Sequence, residues 1–548
     1  MLATLSVEVP RGEAEVAEKS EPQMGLPKVE EDPVDQELDK MDGSVKQQFN
    51  PKTCFRHPPN GSCVHCMPVP PWLIGEVEPW KSEKIKHIPF TSWLRHREDR
   101  GECRHTRAPG IYCQNCRPLT EEFYTAKRCD RHEPWPKGVC SYCKPDAIRL
   151  TRQEYRHVDH VVIENAQVLG SLIQAWRDTG SQRCGFLFGR YEPHKDIPLG
   201  IKVVVEALYE PPQVNSPQGL QLKEDPAEEA RVVAQAKALG LVMVGFAWTA
   251  IEVVQGKIVK SRDLDKTYLA SGPEMLQAAL FQNEHPSPCR HSMTGKYGSK
   301  WVSIIMTGTA EGELAPVVFQ VSDQMAGMVR DGIITTNADP RLLQTVDNPA
   351  VYVPKVLYDD TNEYNRAVVK EANPTFPPLP FWVDVNYAAP KQPNPLLPTT
   401  TFPVENRAWE PVTEARLSQQ LRLAKPLVEV FADFHFYLHL GKVLDPETLE
   451  LVAAGIVQRD QNVLKEVLRR IKPLFPDAAA APAPAKAAGA PGAAKKPALG
   501  PAQPAKPNPN EAAWIAQLMS MGFGEAQSRA ALEKAKWQGV EAALQFLL

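Results

Sequence analysis

Between residues 183 and 322, short apolar runs alternate with an amphipathic stretch. RCGFLFGRY (183–191), GIKVVVEALYE (200–210), LVMVGFAWTA (241–250), KWVSIIMTGT (300–309) and APVVFQVS (315–322) are rich in β-branched and aromatic residues and predict strands. PAEEARVVAQAKALG (226–240) opens on Pro and Glu, carries apolar residues at helical spacing and stops at Gly, which predicts a helix. Residues 151–345 therefore read as an α/β domain. Residues 346–405 are Pro-rich and predict irregular chain. From about 408 to 473 the spacing turns helical, with LSQQLRLAKPLVEVFADFHFYLHL (417–440) and a new helix opening at Asp445-Pro446-Glu447. Ala (14) and Pro (8) make 22 of the 34 residues in 477–510, a linker composition. Residues 511–548 are amphipathic again and predict three short helices. The first carries Ile515, Leu518 and Met519, the second Ala526, Ala530, Ala531 and Leu532, and the third Val540, Ala543, Leu544 and Leu547.

Composition sharpens this multidomain α+β picture. A chain of 548 residues forms several cores, and its net charge of −4 argues against a protein whose main task is coating nucleic acid. Residues 1–50 hold 5 basic and 12 acidic residues, a net of −7, and predict a disordered acidic segment without a secretory signal. The longest apolar run, 239–251, is about 13 residues, too short to span a bilayer, and reads as a buried strand. The expected setting is a reducing compartment, cytoplasm or nucleus.

Nine of the 11 cysteines lie between Cys54 and Cys143. They repeat one plan: Cys54, His57, Cys63 and Cys66; then Cys103, His105, Cys113 and Cys116; then Cys129, His132, Cys140 and Cys143. Each ends C-x-x-C-x-P and has a Gly before its second pair: Gly61, Gly110 and Gly138. Four protein ligands leave no open coordination position, which is the structural zinc arrangement, and such small segments depend on the metal to fold. Two or three structural zinc ions are expected. The middle module has a shorter leading spacing, and His65 competes with His57 for the first. Cys184 reads as core. The modest +6 charge of residues 51–150 (17 basic, 11 acidic) and the lack of a base-reading helix favour a platform for a protein partner over a zinc-dependent nucleic-acid binder.

The strand and helix order of 183–322 resembles the MPN fold of the JAMM metalloproteases. Active members of that group carry His-x-His after a Gly-aromatic strand, then Ser-x-x-Asp. In Gly245-Phe246-Ala247-Trp248-Thr249-Ala250 the two His positions are Trp248 and Ala250, and Ser271-Gly272-Pro273-Glu274 has Glu for Asp. Neither Trp nor Ala ligates zinc, so a JAMM-type deubiquitinase is the weaker reading and no catalytic residue is assigned. His285 and His291 read as loop residues.

CFRHPPNGSCVHC (54–66), IKHIPFTSWLR (85–95), CDRHEPWPKGVCSYCKPDAI (129–148), YRHVDHV (155–161), FLFGRYEPHKDIPLGIKVVVEALYEPPQ (186–213) and DFHFYLH (433–439) together resemble the nuclear protein localization protein 4 family over roughly residues 51–473. The resemblance implies zinc modules, a catalytically inactive MPN domain and a helical C-terminal domain. It implies an adaptor that binds ubiquitin and polyubiquitin chains, pairs with ubiquitin fusion degradation protein 1, and serves the valosin-containing AAA ATPase hexamer in proteasomal and ER-associated degradation. Localisation at the ER and nuclear envelope would come through partners, with no membrane insertion. The sequence departs from that family in three places. Residues 1–50 are too short and polar for its ubiquitin-like domain, the Cys103–Cys116 module is an addition, and the C-terminus is not the zinc-ribbon finger of animal members. Instead, residues 511–548 resemble a UBA domain, which implies that Met521, Gly522, Phe523 and Leu547 meet ubiquitin's apolar patch.

Overall fold

The computed structural model describes residues 4–5 and 28–472, apart from residues 48–53, 100–118, 263–267 and 362–365 and scattered shorter gaps. The Cys103–Cys116 module, the 477–510 linker and the 511–548 domain with Met521, Gly522, Phe523 and Leu547 lie outside the described residues. The chain divides into two units between Ala481 and Pro482.

Eight strands form the central sheet: β1 (His160–Ile163), β2 (Cys184–Pro193), β3 (Ile201–Tyr209), β4 (Val242–Thr249), β5 (Val302–Gly308), β6 (Leu314–Val321), β7 (Trp382–Asp384) and β8 (Asn386–Ala388). Their spatial order is β7-β6-β5-β4-β2-β3-β1-β8. The five strands expected from sequence are all present, within two residues at most ends. β4 runs parallel to β5 and antiparallel to β2, so the sheet is mixed. Side chains alternate faces as period two requires. Phe186, Phe188, Phe246 and Trp248 enter one core, and Leu187 and Ala247 the other.

The helix Pro226–Ala238 forms as expected, with Asp225 accepting the Glu228 N–H at its N-cap. It packs on the same core as helices Gly272–Glu284 and Asp323–Arg330. The C-terminal helices Leu427–Phe431, Phe434–Leu440, Pro446–Val457 and Gln461–Ile471 share this core, so the α/β and helical parts are not separately filled. Asp433 caps one by accepting from His435 and Phe436, and Asp445 caps the next through Thr448.

Three expected boundaries shift. The irregular 346–405 segment contains the hairpin Val356–Thr361/Ala367–Glu371 and, in β7 and β8, the two outermost strands of the sheet. β7 and β8 are separated by Val385 alone, so one segment joins both edges and the α/β domain cannot end at 345. The nearby prolines, Pro377, Pro378, Pro380 and Pro390, fall outside these short edge strands, where no ladder N–H is needed. Ile148–Leu150 pairs parallel with Val356–Tyr358, so the zinc-bearing segment does not end cleanly at 150 either.

The third shift concerns residues 1–50. Pro33–Leu38 is a helix whose Val34 and Leu38, four residues apart, enter the core beside Leu187 and Val203. Asp32, Asp35 and Asp39 are paired with cations rather than left to solvent. Lys300, buried, reaches Asp32 Oδ2 at 2.7 Å and Asp35 Oδ2 at 2.6 Å, and Arg290 pairs with Asp39. Arg95 donates to the carbonyls of Leu38 and Met41. Opposite charge from a distant loop, absent from the local sequence, overrides the disorder signal here. Leu38→Ala should destabilise the fold by about 3 kcal/mol, read as a lower denaturant midpoint with unchanged slope.

Candidate metal centres and a closed polar cluster

Cys54, His57, Cys63 and Cys66 converge, as do Cys129, His132, Cys140 and Cys143; within each set the donor atoms lie within 4.8 Å of one another. In the first set Cys63 Sγ is 3.8 Å from Cys66 Sγ, and His57 Nε2 is 3.3 Å from Cys66 Sγ. In the second, Cys140 Sγ is 3.7 Å from both Cys129 Sγ and Cys143 Sγ, and His132 Nε2 is 3.2 Å from Cys143 Sγ. Tetrahedral zinc with Zn–S bonds of about 2.3 Å separates its sulfurs by about 3.8 Å, so the donor sets fit. His65 stays outside the first set, and His57 lies within it.

The ring orientation is fixed by a second contact. His57 Nδ1 donates to the Pro58 carbonyl and His132 Nδ1 to the Glu133 carbonyl, each at 2.7 Å, which leaves Nε2 as the ligand atom. Backbone N–H groups approach the sulfurs, Cys63 to Cys66 at 3.2 Å and Cys140 to Cys143 at 3.3 Å. The N–H groups of Cys143 and Tyr142 hold the Cys140 thiol down at about 6, on the way to the thiolate a metal needs.

The glycine before each second pair now has a reason. A Cβ on Gly61 would lie 2.9 Å from His57 Cβ, and one on Gly138 would lie 3.0 Å from His132 Nδ1 and 3.1 Å from the Glu133 carbonyl. Gly138→Ala would disturb the very hydrogen bond that aims the imidazole. Its zinc affinity should fall at least about tenfold, as for loss of other outer-shell contacts, measured by competition with a chelating dye.

Around the modules the aromatic residues pack. Trp93 lies against Tyr155 with ring centroids 4.3 Å apart, and Trp135 meets Tyr352 edge-on at 5.1 Å. Tyr142, between the ligands Cys140 and Cys143, is 63% exposed beneath the Arg131 guanidinium.

The Trp248 region holds a different arrangement. The structure brings Trp248, at the end of β4, against Glu274, at the start of helix Gly272–Glu284. The indole N–H donates to Glu274 Oε1 at 3.0 Å. Arg262 Nη2 donates to the same oxygen at 2.8 Å, and its other terminal nitrogen reaches Oε2. The Ser271 N–H and hydroxyl complete the set on Oε2 at 2.7 and 2.8 Å, forming a capping box. Trp248, Ala250, Arg262, Ser271 and Glu274 are all buried. Burial alone would push the Glu274 carboxyl up; Arg262, Ser271 and Trp248 outweigh it and hold the group below its ordinary value. A guanidinium, an indole and the Ser271 donors thus occupy both oxygens of the Glu274 carboxylate.

Arg262 is the site residue that sequence reading missed. It sits in a polar loop with no motif around it. Cys184 is buried in β2 as expected, and burial pushes its thiol well up. His285 stacks on Trp301 with centroids 4.2 Å apart, and neither it nor His291 joins a metal-ligand cluster among the described residues. Among the described residues, no helix is long and apolar enough to cross a membrane.

Residues 183–472 match the NPL4 family, and residues 29–180 match that family's zinc-binding region. The chain belongs to the NPL4 family. It is 36% identical over 433 residues to nuclear protein localization protein 4 homolog of Homo sapiens, covering 76% of this chain and 68% of the relative. It is 33% identical over 466 residues to nuclear protein localization protein 4 of Saccharomyces cerevisiae, covering 80% and 78%. The Meyerozyma guilliermondii protein is 38% identical over 390 residues, covering 70% and 67%. Both Cys/His clusters of this NPL4-family chain fall inside the matched zinc-binding region, as does the Pro33–Leu38 helix. Residues 510–547 match a UBA/TS-N domain.

Proposed function

We propose that this NPL4-family chain is a non-enzymatic adaptor that binds polyubiquitinated proteins and delivers them to a AAA unfoldase, the valosin-containing ATPase hexamer, for extraction and proteasomal degradation, including at the ER. The observation that carries this reading is the presence on one chain of the NPL4 family match and the UBA match. The closed Glu274 cluster supports the absence of chemistry. In the proposal the sheet domain is an MPN scaffold without its catalytic ion, and its strand order and the Trp248 and Ala250 positions support that assignment. The two described zinc modules, and the Cys103–Cys116 module if it too binds zinc, form a rigid perch on the rim of the ATPase. Ubiquitin fusion degradation protein 1 is the proposed heterodimer partner, and cytoplasm and nucleus the proposed locations.

The UBA surface around Met521, Gly522, Phe523 and Leu547 is proposed to hold ubiquitin. A patch this small binds weakly by itself, and a long tether raises its effective concentration near a chain held elsewhere. Phe523→Ala should therefore weaken capture of polyubiquitin by about tenfold while leaving ATPase binding unchanged, measured by paired pull-downs. Equal loss of both would contradict this division of roles.

A further inference from the structure

The first zinc module is an excursion of the chain from a fixed base. The chain leaves that base at Val45 and returns at Val69, and these two residues exchange both backbone hydrogen bonds. The Val45 N–H donates to the Val69 carbonyl at 2.9 Å, and the Val69 N–H to the Val45 carbonyl at 3.0 Å. Cys54, His57, Cys63 and Cys66 all lie inside the excursion. Val45 is buried with Ile74, which follows the module, and with Ile197, from the loop between β2 and β3; Val69 packs on the same small core. The base thus joins the segment ahead of the module, the segment behind it and the sheet. Ahead of Val45, residues 31–42 are tied down by cations from distant parts of the chain. Lys300, just before β5, takes Asp32 and Asp35. Arg290 pairs with Asp39, and its backbone N–H donates to Glu31 Oε1 at 2.9 Å. Arg95, in helix Phe90–Arg97, donates to the carbonyls of Leu38, Met41 and Asp42. Gly43 links this stretch to the base. Its φ is +72°, and a Cβ there would lie 2.5 to 2.9 Å from three side-chain carbons of Leu199, so the chain passes there because the residue is glycine.

We propose that residues 31–45 are a strap that sets the position of the first zinc module against the sheet, with Lys300 as its latch. Lys300 is 5% exposed, and a buried cation left without its partners is costly, so the sheet holds the acids of the strap in place. Val34 and Leu38 add an apolar anchor in the core behind the sheet. The latched strap then carries Val45 to the base of the module. The two tasks are divided: metal closes the module on itself, and the strap orients it. Opening the latch frees Val45 from its place, and the module keeps its zinc but loses its fixed position on the sheet. This inference does not rest on the adaptor reading.

The test uses the full zinc-loaded chain and a variant with Asp32→Lys and Asp35→Lys. The control carries Glu30→Lys and Glu37→Lys, two exposed acids outside the latch that change the net charge equally. Gly43→Ala is a second strap variant that alters no charge. Amide hydrogen exchange at Val69 should quicken at least about tenfold in both strap variants and stay as it was in the control. Exchange at Phe246, in β4, and the zinc content should be the same in every sample, which separates release of the strap from loss of the fold or of the metal. Energy transfer between dyes attached through azide-bearing residues at Met67 and Val254, both exposed, should change in the strap variants alone. Unchanged Val69 exchange or energy transfer in Gly43→Ala overturns the proposal. So does an equal change in the control, a matching rise at Phe246, or loss of zinc from Gly43→Ala. ATPase binding measured on the same samples reports on the adaptor reading separately.

Discussion

Cys143→Ser is expected to release one zinc ion per chain and to unfold residues 129–143. Cys143 is 1% exposed, faces His132 Nε2 and Cys140 Sγ, and accepts the Cys140 N–H. A hydroxyl in that place is a poor zinc ligand, and the remaining three donors cannot close a tetrahedron. Structural zinc binding is worth on the order of 10 kcal/mol in small modules, and the segment has almost no apolar core to replace it. Trp135 packs on Tyr352, so the local change should also appear in tryptophan fluorescence. Metal analysis of the purified variant should give one zinc fewer than the unaltered chain, whereas Cys184→Ser, a buried strand residue, should keep the full number.

Glu274→Ala is expected to lower stability by about 3–5 kcal/mol, the usual penalty for leaving a buried charge unpaired. Arg262 is 3% exposed, and Glu274 is the carboxylate it is bonded to. Replacing both, Glu274→Leu with Arg262→Met, should recover most of the loss, because neither charge then remains buried. A double-mutant cycle in denaturant measures the difference. The pH dependence follows from the sign of the shift. Glu274 is held below its ordinary value of 4.5, so its contribution is complete above that value and is lost as the pH falls through the lower folded value.

What the sequence revealed and what it hid follow from the range of the interactions. The strands from 183 to 322 were legible because each is a local run of β-branched and aromatic residues, and the helix opening at Asp445-Pro446-Glu447 because its cap acts on an N–H group three residues away. The two described zinc sets were legible because a metal imposes spacing on its ligands. The Pro33–Leu38 helix was hidden because its partner Lys300 lies 265 residues from Asp35, and acids read alone resemble a solvated tail. β7 and β8 are three residues each, too short for a period to register. Arg262 was hidden for a related reason: no local pattern marks it, and only the fold brings it onto Glu274.

The central claim is that metal in this NPL4-family chain is confined to closed four-ligand sites, while the buried cluster beside Trp248 carries the Arg262–Glu274 ion pair instead. An anomalous difference map collected at the zinc edge from crystals of the full chain tests it most directly. The account predicts peaks inside the Cys54–Cys66 and Cys129–Cys143 sets and none beside Trp248 or Glu274. A peak next to Glu274, or no peak within the two cysteine sets, would contradict it.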